Sequence, residues 1–271
     1  MAKKRHIWLA GLLLAAIVGV IWLVTRAGDP VYEGRRLHVW LEQYGTNHWH
    51  PGGELEKQAQ TALQHIGTNA IPIYLQFMTN RASRLKLKLL AAVPYDLRVR
   101  FKLTGPSGYE KQVNDHRLWG AYGIGALGPA AAPVVPALIG LLDYDDPEVR
   151  YAAVFALGSL GPVAREALPA LIECLGDASE RVRWNALASL GDIHEDPDRV
   201  VPILIRYLDS PDDAARLFAL FSLGRYGAAA KPAVPRILSS MTNNANSGFR
   251  SLAARTLKEI DPEAADKAGV Q

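Results

Sequence analysis

The chain has 271 residues, 49% of them hydrophobic and 21% charged, so it can bury a sizeable core. A single cysteine excludes any intramolecular disulfide, and 23 glycines with 17 prolines favour short, regularly interrupted helices. Residues 116–271 carry 15 basic and 19 acidic side chains, a net charge of −4. This excludes a broad nucleic-acid-binding surface there, because phosphate neutralisation needs clustered Lys and Arg.

Residues 1–29 are predicted to anchor the protein in a membrane. A basic cluster at residues 3–5 precedes residues 7–24, a run without charged or strongly polar side chains. At about 1.5 Å of rise per residue, a helix over this run covers roughly 27 Å, close to the thickness of the hydrocarbon core. Trp8 and Trp22 lie near its ends, where amphipathic rings favour the membrane interface.

A cleaved signal peptide is the alternative for this segment, since it also begins with basic residues. The apolar run is longer than a typical signal core. The only residues after it that could form a signal-peptidase site, at 25–27, match such a site poorly. We therefore predict an uncleaved signal-anchor. The basic cluster predicts a single-pass protein with a cytoplasmic N-terminus and an extracytoplasmic body, which is periplasmic in a bacterium.

Residues 30–113 are predicted to form a divergent helical or capping region. Residues 54–66 have helical apolar spacing, and a further helix is predicted at 81–93. The sequence ALQHIGTNAIP at 62–72 echoes GIGALGPAAAP at 123–133, so this region resembles a degenerate beginning of the repeats that follow.

A basic insertion is predicted at residues 93–113. The sequence LRVRFKL at 97–103 alternates apolar and basic residues, which favours a half-buried extended segment. One interpretation is a solvated basic loop; the other is a docking edge for an acidic protein or for lipid headgroups. In the second interpretation the binding side chains are Arg98, Arg100 and Lys102.

Residues 114–260 show a period of 33 residues in three residue types that share one register. The repeated prolines are Pro136, Pro169, Pro202 and Pro235. The repeated arginines are Arg117, Arg150, Arg183 and Arg216, and the repeated glycines are Gly125, Gly158, Gly191 and Gly224. Such a period predicts a stack of units, each too small to bury its apolar face alone.

Each unit is predicted to contain two antiparallel helices. The N-cap candidates of the first helix are Asp146, Ser179 and Asp212. The repeated glycine is predicted at or near the end of this helix, and the repeated proline in the first turn of the second. The fold class is therefore all-α, an α-solenoid of antiparallel helix pairs preceded by one transmembrane helix. Residues 247–260 supply the last helix, and 261–271 form a tail.

The run DPEVRYAAVFALGSLGP at 146–162 and the PALI openings at 136 and 169 resemble HEAT repeats. The likeness is greatest to the short kind also found in phycobilisome-lyase-like proteins. Ahead of the repeats, YEGRRLHVWLEQYG at 32–45 resembles a segment that precedes such repeats in some bacterial membrane-anchored HEAT proteins. It implies a superhelix whose second helices line the concave face. Members of the family often carry an Asp six positions before the recurring Arg. Only Asp177, before Arg183, fits, so the family's Asp–Arg ladder is expected to be incomplete.

No catalytic, cofactor or metal site is predicted, because motifs such as a phosphate-binding glycine loop, HExxH and CxxC are absent from the sequence. His48 and His50 lack an identifiable third ligand. Cys174 lies in an apolar helical pattern and is predicted to be a small buried hydrophobe. His194 is predicted to lie in a solvated turn, and the recurring arginines to pair structurally.

The predicted function is a membrane-anchored scaffold that binds other proteins through the concave face and is not an enzyme. At two adjacent positions of the second helix the residue type changes from repeat to repeat. The expected binding residues are Glu173, Arg206, Tyr207 and Arg236, together with the basic insertion. Its protein partner is not identified by the sequence, and the membrane contact is residues 7–24. The alternatives are an enzyme or enzyme accessory, such as a phycobilisome-type chromophore lyase, and a DNA-repair scaffold, which the acidic repeats disfavour.

Overall fold

The structure is a computed structural model that describes residues 30–47, 53–243 and 246–269. The predicted anchor at 1–29 and the His48–His50 pair lie outside these residues. The described residues divide into two compact units, the first ending at Ile66 and the second beginning at Gly67.

The first unit contains β1 (Val31–Tyr32), β2 (Arg35–Arg36), α1 (Leu37–Asn47) and α2 (Glu54–Ile66). The two strands form an antiparallel hairpin, and the indole N–H of Trp40 donates to the carbonyl of Tyr32 at 3.2 Å. Leu37, Leu41 and Leu63 are fully buried where α1 packs on α2. The helix predicted at 54–66 is confirmed.

The second unit is a series of helices. These are α3 (Ile71–Thr79), α4 (Arg84–Ala92), α5 (Tyr95–Arg100), α6 (Pro106–Leu127), α7 (Val135–Gly140), α8 (Pro147–Ser159), α9 (Leu168–Glu173), α10 (Glu180–Ile193), α11 (Pro197–Tyr207), α12 (Asp213–Tyr226), α13 (Val234–Asn243), α14 (Ser247–Ile260) and α15 (Pro262–Lys267). From α6 to α14 they alternate as the first and second helices of the predicted pairs, and α15 lies in the predicted tail. Consecutive first helices pack on one another, and each second helix packs on the first helix that follows it.

One helical stretch among the described residues, Pro106–Asp143, has the length and composition of a membrane span. It comprises α6, α7 and the turns between and after them, and its side chains Ile124 and Leu138 are fully buried.

The N-caps follow the sequence in two repeats of three. The Asp146 carboxylate accepts a hydrogen bond from the backbone N–H of Glu148, and Asp212 accepts from Ala214 and Ala215. Ser179 occupies the cap position of α10 without a side-chain cap bond. Its own N–H instead donates to the Asp177 carboxylate at 2.7 Å, so a carboxylate still orders this turn.

The repeated prolines lie where the sequence predicts them in three second helices. Pro136, Pro169 and Pro235 are each the second residue of their helix, where a missing N–H costs least. Pro202 lies inside α11, because this helix begins five residues earlier at Pro197.

The repeated glycines lie in the last turn of the first helices, near the helix ends as predicted, but close packing rather than a cap explains them. A Cβ on Gly158 would lie 2.5 Å from Ser189 Oγ, and one on Gly191 would lie 2.7 Å from Ser222 Cα. Both contacts are made with the following first helix. Glycine is required here because two helix backbones approach too closely for a side chain.

The first helices end instead at a second row of residues with the same period and a positive φ. This row is Gly128, Gly161, His194 and Gly227. Glycine adopts the left-handed region without steric cost, and His194 is the one departure from glycine in the row. Its ring contacts Tyr226, whose hydroxyl donates to the carbonyls of Leu190 and Glu195 at 3.0 and 2.9 Å.

Residues 97–103 are not extended, which corrects the prediction of an extended segment. Most of this sequence lies in α5, which is followed by a turn in which the N–H of Leu103 donates to the carbonyl of Arg98 at 2.8 Å. The N–H of Lys102 donates to Val99, and Lys102 has a φ of 51°. These two bonds form a Schellman cap, so the alternating sequence ends a helix.

We expect Gly191→Ala to lower the free energy of unfolding by about 1–3 kcal/mol, because the added Cβ meets backbone that cannot rotate away. Gly140→Ala is the matched control, since nothing lies within 4 Å of the Cβ position at that helical glycine. It should be neutral or raise stability by up to about 1 kcal/mol. Urea unfolding followed by circular dichroism measures both, and equal effects would contradict the close-approach explanation.

Candidate protein-binding surfaces

Two of the recurring arginines, Arg117 and Arg150, connect consecutive repeats. Arg150 donates to the Asp177 carboxylate of the next repeat through Nε at 2.7 Å and Nη2 at 2.8 Å. Its Nη1 donates to the carbonyl of Tyr144 at 2.7 Å. Arg117 makes the equivalent bond to Asp146 at 2.7 Å, and its side chain is only 5% exposed. Arg183 and Arg216 instead bond carbonyls and acidic side chains of their own repeat, so all four arginines have the predicted structural role.

The carboxylates that accept from these arginines occupy different sequence positions in different repeats. Asp177 lies six residues before Arg183, whereas Asp146 is the N-cap four residues before Arg150. In the third junction the Asp212 carboxylate accepts from the Trp184 indole at 2.6 Å. The ladder is therefore more complete than the six-position spacing predicts, because an N-cap Asp can also face the preceding repeat.

Electrostatics at the Arg150–Asp177 pair favour the charged forms. The hydrogen bond from Arg150 holds the pKa of the Asp177 carboxyl below its ordinary value, while partial burial opposes this. The same hydrogen bond raises the pKa of Arg150. With side chains 15% and 10% exposed, the pair is a structural connection and leaves little access to a ligand.

Cys174 does not offer a reactive thiol. The residue is 7% exposed, and burial raises the pKa of its thiol to about 11, so the thiol is protonated at neutral pH. The predicted buried hydrophobe is confirmed. Within the described residues, no group of three His, Cys, Asp or Glu side chains is placed to hold a metal ion.

The exposed face of the second helices carries a regular aliphatic row that the sequence reasoning missed. Its members are half-buried and occupy one position in each of the four repeats: Ile139, Ile172, Ile205 and Leu238. The neighbouring column changes from repeat to repeat and reads Gly140, Glu173, Arg206 and Ser239. The 33-residue spacing of the row is visible in the sequence, but its partial exposure depends on how each helix is rotated in the stack.

The four predicted binding residues of this face differ in their freedom to bind. Glu173 and Arg206 are exposed and form no ion pair among the described residues. The hydroxyl of Tyr207 donates to the carbonyl of Leu175 at 3.3 Å, in the preceding repeat. Arg236 forms an ion pair with Asp209. Tyr207 and Arg236 therefore connect repeats, whereas Glu173 and Arg206 remain available to a partner.

The three predicted binding residues near α5 also divide. Arg98 is half-buried and donates to the carbonyl of Leu90 at 3.3 Å, which fastens α5 to α4. The side chains of Arg100 and Lys102 are exposed and form no hydrogen bond or ion pair within the described part of the chain. The sequence reasoning missed how exposed the apolar residues beside them are.

A family model described as HEAT repeats matches residues 114–191 and, in an overlapping match, residues 135–216. A search of curated proteins found no match.

Solved structures with similar folds include repeat proteins and transport factors. A designed armadillo repeat protein in complex with the peptide (KR)4 is 16% identical, with 86% of this chain and 98% of that chain covered and a TM-score of 0.45. An engineered protein is 18% identical, with coverage of 86% and 97% and a TM-score of 0.45. Kap95p, from a study of its binding to RanGDP, is 14% identical, with coverage of 86% and 34% and a TM-score of 0.49.

We expect Arg150→Gln to lower the free energy of unfolding by about 3 kcal/mol at pH 7, because it leaves the Asp177 carboxylate buried without its partner. Arg181→Gln is the control, since its pair with Glu148 is half exposed and should contribute about 0–1 kcal/mol.

The same pair predicts a pH dependence. The pKa of Asp177 is lowered in the folded protein, so its stabilisation is present above the unfolded pKa and is lost as pH falls through the folded one. Urea unfolding from pH 7 down to pH 3 should therefore show a smaller loss of stability in Arg150→Gln than in the unaltered protein. Parallel pH profiles would contradict this assignment.

Proposed function

We propose that this HEAT-repeat protein is a membrane-anchored scaffold that binds another protein through the face formed by its second helices. The observation that carries the proposal is the half-exposed aliphatic row beside a column that differs in every repeat. A constant apolar row supplies contact area that is the same in each repeat, and a variable polar column supplies specificity.

Charge on this face supports a partner with complementary charges. Glu173 and Arg206 stand at the same position of successive repeats, are exposed, and have opposite signs. A partner that places a cation opposite Glu173 and an anion opposite Arg206 fixes its register along the row. Oppositely charged contacts of this kind govern specificity and association rate more than total affinity.

The membrane-anchoring part of the proposal rests on residues 7–24. Their apolar composition and length fit one span, and the preceding basic cluster favours a cytoplasmic N-terminus with an extracytoplasmic body. Such an anchor confines the scaffold to the membrane surface, which raises its effective concentration near membrane-bound partners. We propose no enzymatic activity, since among the described residues Cys174 is buried and protonated.

We expect Glu173→Lys combined with Arg206→Glu to lower the yield of the bound partner at least about tenfold, through charge repulsion worth about 1.4 kcal/mol or more. Crosslinking of the full-length protein in cells, detergent extraction, affinity capture and quantitative mass spectrometry measure this yield. The matched control is Glu166→Lys with Lys258→Glu, two exposed positions outside the second helices that leave the net charge equally unchanged.

A partner lost from the first variant and retained by the control supports the proposed face. Equal loss from both, or from neither, contradicts it. A bound chromophore instead of a protein, seen as visible absorbance after co-expression with a bilin source, would contradict the scaffold function and favour the lyase alternative.

The anchor is tested separately by placing charge in the centre of residues 7–24. Each arginine there costs about 2.5–3.5 kcal/mol of insertion free energy. We therefore expect Leu14→Arg with Ile17→Arg to move the protein into the fraction released by alkaline carbonate. Leu14→Phe with Ile17→Phe is the apolar control and should stay in the membrane pellet. Protease added to spheroplasts should digest the body, and protection would reverse the topology.

A further inference from the structure

Residues 81–105, called the α4–α5 segment below, expose a concentration of large apolar side chains. Neither α4 nor α5 contains a buried residue. Eleven large hydrophobic residues are exposed among the described residues, and seven of them lie in this segment: Leu85, Leu89, Tyr95, Leu97, Val99, Phe101 and Leu103. Exposed apolar area of this density marks a surface that another body covers.

Cations surround these apolar side chains. The segment contains seven basic residues and a single acidic one, Asp96, a net charge of +6. In α4, Leu85 and Leu89 are one turn apart and form an exposed apolar stripe. At about 100° per residue, Arg84 and Lys88 flank one side of this stripe and Lys86 flanks the other. Long basic side chains beside an apolar stripe can extend their charges outward over it.

Four of the seven cationic side chains form no hydrogen bond or ion pair within the described part of the chain: those of Arg84, Lys88, Arg100 and Lys102. Lys102 also occupies a left-handed backbone position, with a φ of 51°, where glycine is the favoured residue. The three other cations contribute to the attachment of the segment.

The segment is held against the repeats by polar contacts at its base. The N–H of Ser83 donates to the hydroxyl of Tyr109 in α6 at 3.3 Å, and Lys86 Nζ lies 3.9 Å from the centre of the same ring. Arg81 lies over the Tyr144 ring, and Arg98 joins α5 to α4. These contacts hold the two helices while leaving the apolar stripe uncovered.

We propose that the α4–α5 segment docks on the surface of a lipid bilayer that contains anionic headgroups. The exposed Leu, Val, Tyr and Phe side chains enter the boundary between headgroups and acyl chains, and the four free cations face lipid phosphates. Charge complementarity selects this occupant, because an anionic bilayer accepts many cations without a fixed partner geometry. A second copy of the segment is disfavoured, since it would oppose one net charge of +6 with another.

This docking is a separate contact from the span proposed at residues 7–24. A bilayer-docked segment would fix one side of the repeats against the membrane, whereas the span alone leaves them tethered. The test therefore needs a readout within the segment that does not report on the span.

The experiment uses the full-length chain in nanodiscs, with an environment-sensitive dye on Leu89→Cys in a Cys174→Ala background. Nanodiscs of phosphatidylcholine are compared with nanodiscs of equal parts phosphatidylcholine and phosphatidylglycerol. We expect a blue shift of dye emission in the anionic nanodiscs and little shift in the neutral ones. The same dye on Ser251→Cys, an exposed position in α14, should respond to neither.

Neutralising Arg84, Lys88 and Arg100 to Gln should lower the ratio of docked to undocked segment by roughly fivefold per charge. None of the three side chains forms a hydrogen bond or ion pair among the described residues, so folding should be retained, and circular dichroism checks this. The matched control neutralises Arg199, Lys258 and Lys267, which are exposed outside the segment, and should leave the shift unchanged.

An absent shift, an equal shift in neutral nanodiscs, or an equal effect of both triple variants would overturn the docking proposal. A shift on adding polyglutamate, with none on anionic lipid, would overturn it in favour of an acidic protein. Co-elution of the chain with nanodiscs reports on the span independently. If the chain does not co-elute, dye emission with added phosphatidylglycerol vesicles still tests the segment.

Discussion

The second unit depends on the close approach of consecutive first helices. At each of two junctions a glycine lies against a serine of the next helix, and that serine's hydroxyl donates back to the preceding helix. Ser189 bonds the carbonyl of Val154 at 3.0 Å, and Ser222 bonds that of Leu187 at 2.8 Å. Buried hydroxyls need such partners, so the row combines tight packing with full hydrogen bonding.

Much of this architecture follows from the sequence because the signals are local. The 33-residue period predicts the helix pairs, and the cap chemistry of Asp146 and Asp212 places two helix starts. The role of Gly158 does not follow, because a glycine near a helix end suggests a cap until the neighbouring helix is placed. The partner of Arg150 is likewise 27 residues away in sequence, so only the stacking of the repeats brings the two together.

The candidate surfaces could be predicted in part for a similar reason. Glu173 and Arg206 are exposed because the repeat period fixes the outward face of their helices. Tyr207 has an amphipathic side chain, and its sequence position does not distinguish a binding residue from one that bonds the preceding repeat. The extended segment predicted at residues 97–103 is wrong because a period of two over seven residues indicates a strand only when one face is buried. Here neither face is buried, so local helical bonding decides the conformation.

The row of glycine contacts also determines how the array can deform. Along this row the helix backbones are in close contact, so the distance between consecutive first helices cannot change easily. Each second helix packs on the following first helix, through side chains that adjust more readily. We therefore expect bending of the array to leave the spacing of the first helices nearly unchanged and to alter mainly the intervals between Ile139, Ile172, Ile205 and Leu238. The spacing of the aliphatic row can therefore adjust to the partner that binds along it.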